Sequence, residues 1–363
     1  MTALAATLAR IRPPDRDVAA AVQHLLDAKT KPTGSLGRLE RLACQIAAIR
    51  GTPLPPPPRS AIVVMAGDHG VAAEGVSAYP QEVTRQMVQN FARGGAAINV
   101  LARQAGARLV VVDLGVAGEP LDAPGVRACR IAAGTRNFAH GPAMTPDQAI
   151  AALEAGIAIA GELAGDGIDL IGTGEMGIAN TTSASALAAV LTGAPIDEVT
   201  GRGTGIGDAA IAHKRDVIRR AIERHRPELG APADPLDVLA RLGGFEIAGL
   251  AGVALGAAAA GVPVVVDGFI ASVAALVAVR LAPAAAGSLV CAHRSAEPGH
   301  RRVLAALDRE PLLDLDLRLG EGTGAALAIG IIDAAARLLD EMATFESAGV
   351  AGDPNEADSD LRR

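Results

Sequence analysis

Five short, mostly β-branched apolar runs constrain the fold of this chain more than any other feature. They are Ala61–Ala66, Leu109–Val112, Ile168–Ile171, Val262–Val266 and Ser288–Ala292. Runs that are apolar on both faces are typical of strands in a parallel sheet that helices cover. Helical segments lie between them, at Gln81–Gln104, Pro146–Ala164, Ser183–Leu191 and Gly244–Ala260. The alternation predicts a three-layer α/β domain whose ligands bind beyond the carboxyl ends of the strands.

The two ends of the chain have a different pattern. Residues 2–50 read as helices interrupted at Lys31–Gly37, residues 53–58 are a proline-rich linker, and residues 323–345 form an amphipathic helix. We therefore expect a small helical domain from residues 1–58 and 323–350, beside a large α/β catalytic domain of residues 59–322. The polar residues 351–363 are expected to be disordered.

The composition narrows the classes of function. Half of the residues are apolar, yet the chain has no Trp, one Tyr and five Phe, so its core must be aliphatic. A net charge of −7 without a basic run gives no support for nucleic-acid binding. The three cysteines lack CxxC spacing and the seven histidines lack HxH or HxxxH spacing, so neither a disulfide framework nor a metal site is expected.

The apolar segment of residues 247–266 is long enough to raise the question of a membrane span. Glu246 precedes it and Gly261-Val262-Pro263 interrupts it, so a buried helix followed by a buried strand explains it better. The first residues also lack the basic and apolar regions of a signal peptide. We expect a soluble cytoplasmic protein that does not enter a membrane.

Two glycine-embedded glutamates are the best indication of chemistry. Glu321 lies in Gly320–Ala326, which opens a helical pattern, and Glu175 lies in Gly172–Ser183, which follows an apolar run. Helix N-termini and glycine-rich turns bind anions through backbone N–H groups. Alternatively, Glu321 only complements a helix dipole, and the turn at Glu175 is an ordinary strand-to-helix connection capped by Asn or Thr. Together they suggest one site that handles protons beside a phosphate.

Other polar segments leave two interpretations open. Gly201–Asp208 fails the dinucleotide fingerprint because no β-branched strand precedes it. It suits a loop that approaches a phosphate, with Lys214 supplying the positive charge, but it is equally a surface loop with a solvated lysine. Asp68-His69 resembles a catalytic pair without metal-ligand spacing, and Tyr79 is either a stacking surface or a loop anchor. His293–His300 is equally a structural turn or a substrate contact.

These blocks, in this order, resemble the nicotinate-nucleotide–dimethylbenzimidazole phosphoribosyltransferase family. The similar segments are Lys31–Leu39, Gly67–Gly70, Gly75–Gln81, Gly172–Ser183, Gly201–Asp208, Val265–Ile270, His293–His300 and Leu317–Ala326. They span nearly the whole chain up to about Val350, and jointly they are specific although each alone is weak. The resemblance implies a Rossmann-like parallel α/β domain, a small helical domain built from both termini, and a homodimer.

The same resemblance implies roles for individual residues. Glu321 is the expected catalytic base and Glu175 the expected contact to the benzimidazole. The rest of the base pocket is expected to include Ser77, Tyr79, Gln86 (or Gln89), Met176 and Leu319. Phosphate and ribose contacts are expected at Gly174, Gly177, Ile178, Asn180, Gly203, Thr204, Gly205 and Lys214. No metal or other cofactor is expected.

The implied substrates are nicotinate mononucleotide and 5,6-dimethylbenzimidazole, and the implied products are α-ribazole 5′-phosphate and nicotinate, for the nucleotide loop of cobalamin. Pyridinium leaves C1′ as a neutral base, so the reaction needs no metal to assist departure. Two alternatives stay open at this point. One is a related phosphoribosyltransferase that uses adenine or a phenol as acceptor, and the other is a non-catalytic nucleotide-binding protein.

Overall fold

A computed structural model of the chain describes residues 2–351, so all but the first residue of the predicted disordered tail lies outside the described residues. The chain divides into two compact units. The first contains the residues up to Pro13 together with Arg59–Ile329, and the second contains Pro14–Pro58 and the residues from Gly330 onward. The larger unit thus includes residues 2–13 and 323–329, which the predicted division assigns to the small helical domain, and Leu4 and Ile11 are buried in its core.

The larger unit is built on one parallel sheet, which confirms the predicted α/β class. Its strands are β1 (Ser60–Gly67), β2 (Arg108–Gly115), β3 (Val126–Ala128), β4 (Leu170–Met176), β5 (Val264–Val266) and β6 (Leu289–Cys291). They are arranged in the order β3-β2-β1-β4-β5-β6, and all five neighbouring pairs are parallel. Every residue of β1 is buried, as a central strand covered on both faces requires.

Helices connect and flank the strands. The α-helices are Ala3–Leu8, Arg16–Asp27, Arg38–Arg50, Glu82–Arg93, Ala97–Gln104, Pro146–Gly165, Asn180–Thr192, Ile196–Val199, Asp208–His225, Pro235–Leu242, Phe245–Ala259, Phe269–Leu281, Gly299–Leu307, Thr323–Glu341 and Phe345–Ala348. The predicted helix 81–104 is two helices, because Gly94 ends the first one in the left-handed conformation (φ 81°).

Two apolar helices pack at unusually short range inside the larger unit. A Cβ placed on Gly156 of Pro146–Gly165 would lie 1.9 Å from the carbonyl oxygen of Gly249, and one on Gly252 would lie 2.0 Å from that of Leu153. Glycine at these positions lets the backbones touch, which suits a core with few aromatic residues. By length and composition alone Pro146–Gly165 is able to cross a membrane, but here it packs against Phe245–Ala259.

The smaller unit is helical, and buried polar contacts tie its loops together. Lys31 forms a 2.9 Å ion pair with Oε1 of Glu40, and the same oxygen accepts the backbone N–H of Leu36 at 2.9 Å. The Lys29 ammonium donates to the carbonyl oxygen of Met342 at 2.6 Å. These bonds fix the segment of residues 31–37, whose glycines and proline interrupt the helices.

Alanine substitutions at two glycines of one helix should have opposite effects. Gly156→Ala places a methyl group into the backbone of Gly249 and should lower the free energy of unfolding by about 1–3 kcal/mol. Gly161→Ala, on the exposed face with no atom within 4 Å of the new Cβ, should raise it by about 0.5–1 kcal/mol. Urea unfolding of both variants measures the difference, and an equal change in both would contradict the close packing.

Candidate active site

A cavity of about 520 Å³ lies at the carboxyl ends of the central strands. Glu175 and Met176 end β4, Gly268 follows β5 closely, and His293 follows β6. The wall also includes Tyr79 from the segment before the helix Glu82–Arg93. The site therefore lies where an open parallel sheet is expected to bind its ligand.

A left-handed turn carries Glu321 into the cavity wall. Three consecutive residues, Gly320, Glu321 and Gly322, have φ values of 81°, 62° and 89°. Glycine adopts this region freely, but for glutamate it costs about 1–2 kcal/mol, so the surrounding structure must hold the turn. Thr323 closes it, because both its backbone N–H and its hydroxyl donate to the carbonyl oxygen of Gly320, at 3.1 and 2.9 Å.

Asp267 connects this turn to the sheet. Its carboxylate accepts the backbone N–H of Gly322 at 3.2 Å and that of Ala325 at 3.0 Å. The N-terminus of the helix Thr323–Glu341, expected from the sequence to attract a substrate anion, is thus occupied by a carboxylate of the protein itself. Burial raises the pKa of Asp267 to about 7, although the backbone hydrogen bonds oppose that shift.

Two glycines let the loops of the two glutamates approach each other. A Cβ on Gly174 would lie 2.5 Å from the carbonyl carbon of Glu321, and one on Gly320 would lie 2.1 Å from Oε1 of Glu175. The backbone N–H of Glu321 also donates to the carbonyl oxygen of Glu175 at 3.3 Å. The prediction that both glutamates share one site therefore agrees with the geometry. Gly174 packs under the turn and is not part of the cavity wall.

Glu175 is a buried carboxyl group at the end of β4. Asn180 donates a hydrogen bond from Nδ2 to its Oε2. Burial, together with the charges of Asp267 and Glu246, raises the pKa of Glu175 to about 8. The protonated form is consequently favoured at neutral pH, in which state the group is able to donate a hydrogen bond to a ligand.

Glu321 is 5% exposed and also lines the cavity. Burial raises the pKa of its carboxyl group above the ordinary value, and a hydrogen bond from the backbone N–H of Ile98 opposes the shift. Three buried side-chain atoms of the wall have no hydrogen-bond partner within residues 2–351: Oε2 of Glu321, Oε2 of Glu297 and Nδ1 of His293. Such atoms are costly to bury and are typical of a site that a polar ligand completes.

The predicted phosphate-binding residues occupy several environments. Gly177, Ile178, Asn180, Gly203 and Thr204 all line the cavity. Two of their backbone donors are already used, since the N–H of Ile178 donates to Thr84 Oγ1 at 3.0 Å and that of Gly203 to Glu297 Oε1 at 2.9 Å. These two amides therefore do not face a phosphate in this conformation.

Lys214 lies behind the wall and is buried, in contrast to the solvated lysine of the alternative interpretation. Its ammonium donates to Thr181 Oγ1 at 2.8 Å, and a Cβ on Gly203 would lie 3.3 Å from its Nζ. Burial lowers the pKa of Lys214 to about 8, while the charge of Glu297 opposes the shift. The cation is thus one layer from the cavity, beside Thr181 and Gly203.

Three more predicted residues lie off the cavity wall. Ser77 faces Thr204, with its hydroxyl 3.3 Å from Thr204 Oγ1. Gly205 is in an exposed left-handed turn with φ 97°. Gln86 is exposed on the helix Glu82–Arg93. Ligand contacts by these residues stay predictions. Tyr79, Met176 and Leu319 line the cavity, with Tyr79 and Leu319 more than half exposed, and their contacts with a base also stay predictions.

Sequence reasoning missed several wall residues. Val83 and Met87 contribute one apolar face, and their i, i+4 spacing on the helix Glu82–Arg93 was a usable signal. Phe269 and Ile270 contribute another face. Arg318 is an exposed cation on the wall whose Nη1 donates to the carbonyl oxygen of Gly203 at 3.2 Å. No local pattern distinguishes it from other surface arginines.

Metal ligands are not clustered anywhere in the described part of the chain, where no group of three or more His, Cys, Asp or Glu side chains is placed to hold an ion. The carboxylates of Asp267, Glu297 and Glu175 contact backbone N–H groups and Asn180. The arrangement is suited to hydrogen bonding and proton transfer at a flat polar ligand.

Comparison with known proteins identifies the family of this chain. A model of a phosphoribosyltransferase family matches residues 11–350. The chain is 56% identical over 351 residues to the nicotinate-nucleotide–dimethylbenzimidazole phosphoribosyltransferase of Chloroflexus aggregans, covering 97% of this chain and 99% of that protein. It is 55% identical to the enzyme of the same name from Geobacter sulfurreducens, with the same coverage.

Solved structures are similar as well. The crystal structure of CobT from Thermus thermophilus superposes with a TM-score of 0.88 at 49% identity, and the match covers 93% of this chain and 100% of that one. Sequence and fold thus agree over almost the whole chain. The chain belongs to the nicotinate-nucleotide–dimethylbenzimidazole phosphoribosyltransferase family and is an enzyme of the glycosyltransferase type.

Proposed function

We propose that this enzyme transfers phosphoribose from nicotinate mononucleotide to 5,6-dimethylbenzimidazole, with inversion at C1′, in the biosynthesis of the lower ligand of cobalamin. The products are α-ribazole 5′-phosphate and nicotinate. The relatives that are named for this activity match this chain over nearly their full length. The observation that carries the proposal is the placement of Glu321 on the wall of a cavity with apolar faces. Its carboxyl group is buried, and Oε2 has no hydrogen-bond partner among the residues that the structure describes.

Glu321 has the properties of a general base for this reaction. The benzimidazole attacks C1′ with the lone pair of its unprotonated ring nitrogen, while the proton on its other ring nitrogen goes to the carboxylate. The C1′–N bond to the pyridinium breaks, and its electron pair leaves with the nicotinate nitrogen. Positioned proton transfer contributes about 10²- to 10⁴-fold to such a rate.

The rest of the wall positions the two substrates. The apolar side chains of Val83, Met87 and Phe269 suit the faces of flat rings, and Tyr79 lies at the exposed rim. Glu175 is suited to hydrogen-bond the benzimidazole. Lys214 and Arg318 are cations beside Gly203, so we assign the 5′-phosphate to that end of the cavity. Holding the reacting atoms in line lowers the entropic part of the barrier.

Two other functions are less well supported. A phosphoribosyltransferase for adenine or a phenol would share the nucleotide end of the site and differ in the acceptor pocket. A nucleotide-binding protein without catalysis would have no use for a strained turn that buries Glu321.

We also propose a homodimer in the cytoplasm, as the family resemblance implies, and sedimentation equilibrium of the full chain tests the dimer.

The proposed reaction is tested by measuring nicotinate release from nicotinate mononucleotide. We expect release that depends on 5,6-dimethylbenzimidazole and gives an α-linked product, with slower release when adenine or a phenol is supplied. Proton NMR of the anomeric position distinguishes the α and β products. Tight nucleotide binding without release, whichever acceptor is present, would support the non-catalytic alternative.

Replacing the base should separate catalysis from binding. Glu321→Gln keeps the shape of the side chain but removes the proton acceptor, so kcat should fall about 10²- to 10⁴-fold while the Kd of each substrate changes little. Steady-state kinetics and calorimetric titration measure the two effects. Turnover close to that of the wild type would remove Glu321 from this role.

The pH dependence follows from the environment of Glu321. Only the carboxylate form accepts a proton, and burial raises the pKa of this group above the ordinary 4.5. Activity should therefore be lost as pH falls through a pKa that is higher than that of an exposed glutamate. A kcat profile across acid and neutral pH measures this limb, which should be absent from the residual activity of Glu321→Gln. An acid limb at or below the ordinary value would argue against Glu321 as the titrating base.

Removing Glu175 should act mainly on the acceptor. Glu175→Ala deletes the hydrogen-bonding group at the azole end, so the Kd of 5,6-dimethylbenzimidazole should rise about 10-fold, with a much smaller change for nicotinate mononucleotide. Glu175→Gln, which keeps a hydrogen-bonding end, is the matched control and should bind more tightly than Glu175→Ala. Unchanged azole affinity in both variants would refute the assignment.

A further inference from the structure

The pair Asp68-His69, singled out in the sequence, lies behind the cavity and is fully buried. Nδ1 of His69 lies 2.8 Å from Ser183 Oγ and Nε2 lies 2.6 Å from Glu246 Oε1. An ionised Glu246 carboxylate accepts the N–H of Nε2, and the Ser183 hydroxyl is the hydrogen-bond partner of Nδ1. Ser, His and Glu are the residue types of a nucleophilic triad.

This triad has no access to a substrate. His69, Ser183 and Glu246 are each 0% exposed, and none of them is part of the cavity wall. A nucleophile must reach the atom that it attacks, so acyl or glycosyl transfer to Ser183 is excluded by geometry. The bonds must therefore serve the structure around them.

The hydrogen bonds of His69 hold the turn of residues 176–180, which places Gly177, Ile178 and Asn180 on the cavity wall. The turn packs directly on the pair, since a Cβ on Gly177 would lie 2.3 Å from the carbonyl oxygen of Gly67 and 3.4 Å from Cδ2 of His69. Ser183 fixes the first turn of the helix Asn180–Thr192, which follows. One end of the turn is thus anchored through His69.

Thr84 anchors the middle of the same turn. Its hydroxyl oxygen accepts the backbone N–H of Ile178 at 3.0 Å, and the same side chain lies close enough to the carboxyl group of Asp68 to oppose the rise in its pKa that burial causes. The next residue, Ala179, has a φ of 73°, a left-handed conformation that a residue with a Cβ avoids. Two side-chain anchors on either side of a strained alanine give the turn one geometry where it would otherwise have several.

We infer that Asp68-His69 is a positioning device, which acts through Thr84 and Ser183 to hold the turn of residues 176–180 in the form that binds substrates. Its effect on the reaction rests on the proposed function. Asn180 transmits the geometry, because it both lines the cavity and hydrogen-bonds to Glu175. Displacement of the turn should then affect the azole end and the nucleotide end of the cavity together.

Thr84→Val tests the inference, because valine keeps the shape of threonine and removes only the hydroxyl. Thr192→Val is the matched control: Thr192 Oγ1 also accepts a backbone N–H, that of Ala194 at 3.2 Å, and donates to Ala188 at 2.6 Å. It lies at the far end of the helix Asn180–Thr192, away from the cavity wall. Both variants lose comparable hydrogen bonds, and only one of them touches the anchored turn.

We expect Thr84→Val to lower kcat/KM by about 10- to 100-fold, the effect of a small misplacement at an active site, with a raised KM for dimethylbenzimidazole. A merely structural loss would reduce the amount of active enzyme and leave KM unchanged. Thr84→Ser should restore most of the activity, and Thr192→Val should behave as the wild type does. Wild-type kinetic constants in Thr84→Val would overturn the inference.

Amide hydrogen exchange gives a second readout that needs no substrate and no turnover. Amides of residues 176–183 should exchange faster in Thr84→Val and in Ser183→Ala than in the wild type, and Thr192→Val should not change them. Unchanged exchange in both anchor variants would overturn the anchoring. Absence of turnover in the wild type, by contrast, would refute the proposed function, and the exchange measurement would still decide whether the turn is anchored.

Discussion

The carboxylate of Asp267 is the contact on which the site depends most. It follows β5 directly and accepts backbone N–H groups of Gly322 and Ala325, so it fixes the left-handed turn of Gly320–Gly322 against the ends of the strands. Without that contact the strained φ of Glu321 would relax, and the carboxyl group would have no defined place on the wall. The charge that completes the helix N-terminus thus belongs to the protein, and the substrate phosphate must find its partners elsewhere.

The chain builds this site from small residues. Gly174 and Gly320 let the two glutamate loops touch, and Gly156 and Gly252 let two core helices do the same. A core without tryptophan and almost without other aromatic rings has to fill space by bringing backbones together. Close backbone contact at glycine therefore stabilises the core of the larger unit and also brings the two glutamate loops together at the cavity.

Much of the fold was predictable, because strands buried on both faces leave continuous apolar runs and glycine marks where they end. β3 was missed, since its three residues are partly or wholly exposed and carry no such run. In the site, the meeting of Glu175 and Glu321 was predictable from local sequence. The partners of Ile178 and Gly203 were not, because Thr84 and Glu297 each lie 94 residues away along the chain. Contacts between residues that are distant in the chain decide which backbone N–H groups are free to bind a phosphate, and a local sequence pattern does not predict such contacts.

The scarcity of aromatic residues also makes the cavity optically distinct. Tyr79 is the only tyrosine of a chain that has no tryptophan, and its half-exposed ring lies on the cavity wall. When the unmodified protein is excited at a wavelength that tyrosine absorbs and phenylalanine does not, its ultraviolet emission therefore originates at the cavity wall. A flat ligand stacked on that ring would quench it, so each molecule of the enzyme carries a built-in, label-free fluorophore for the occupancy of its own site.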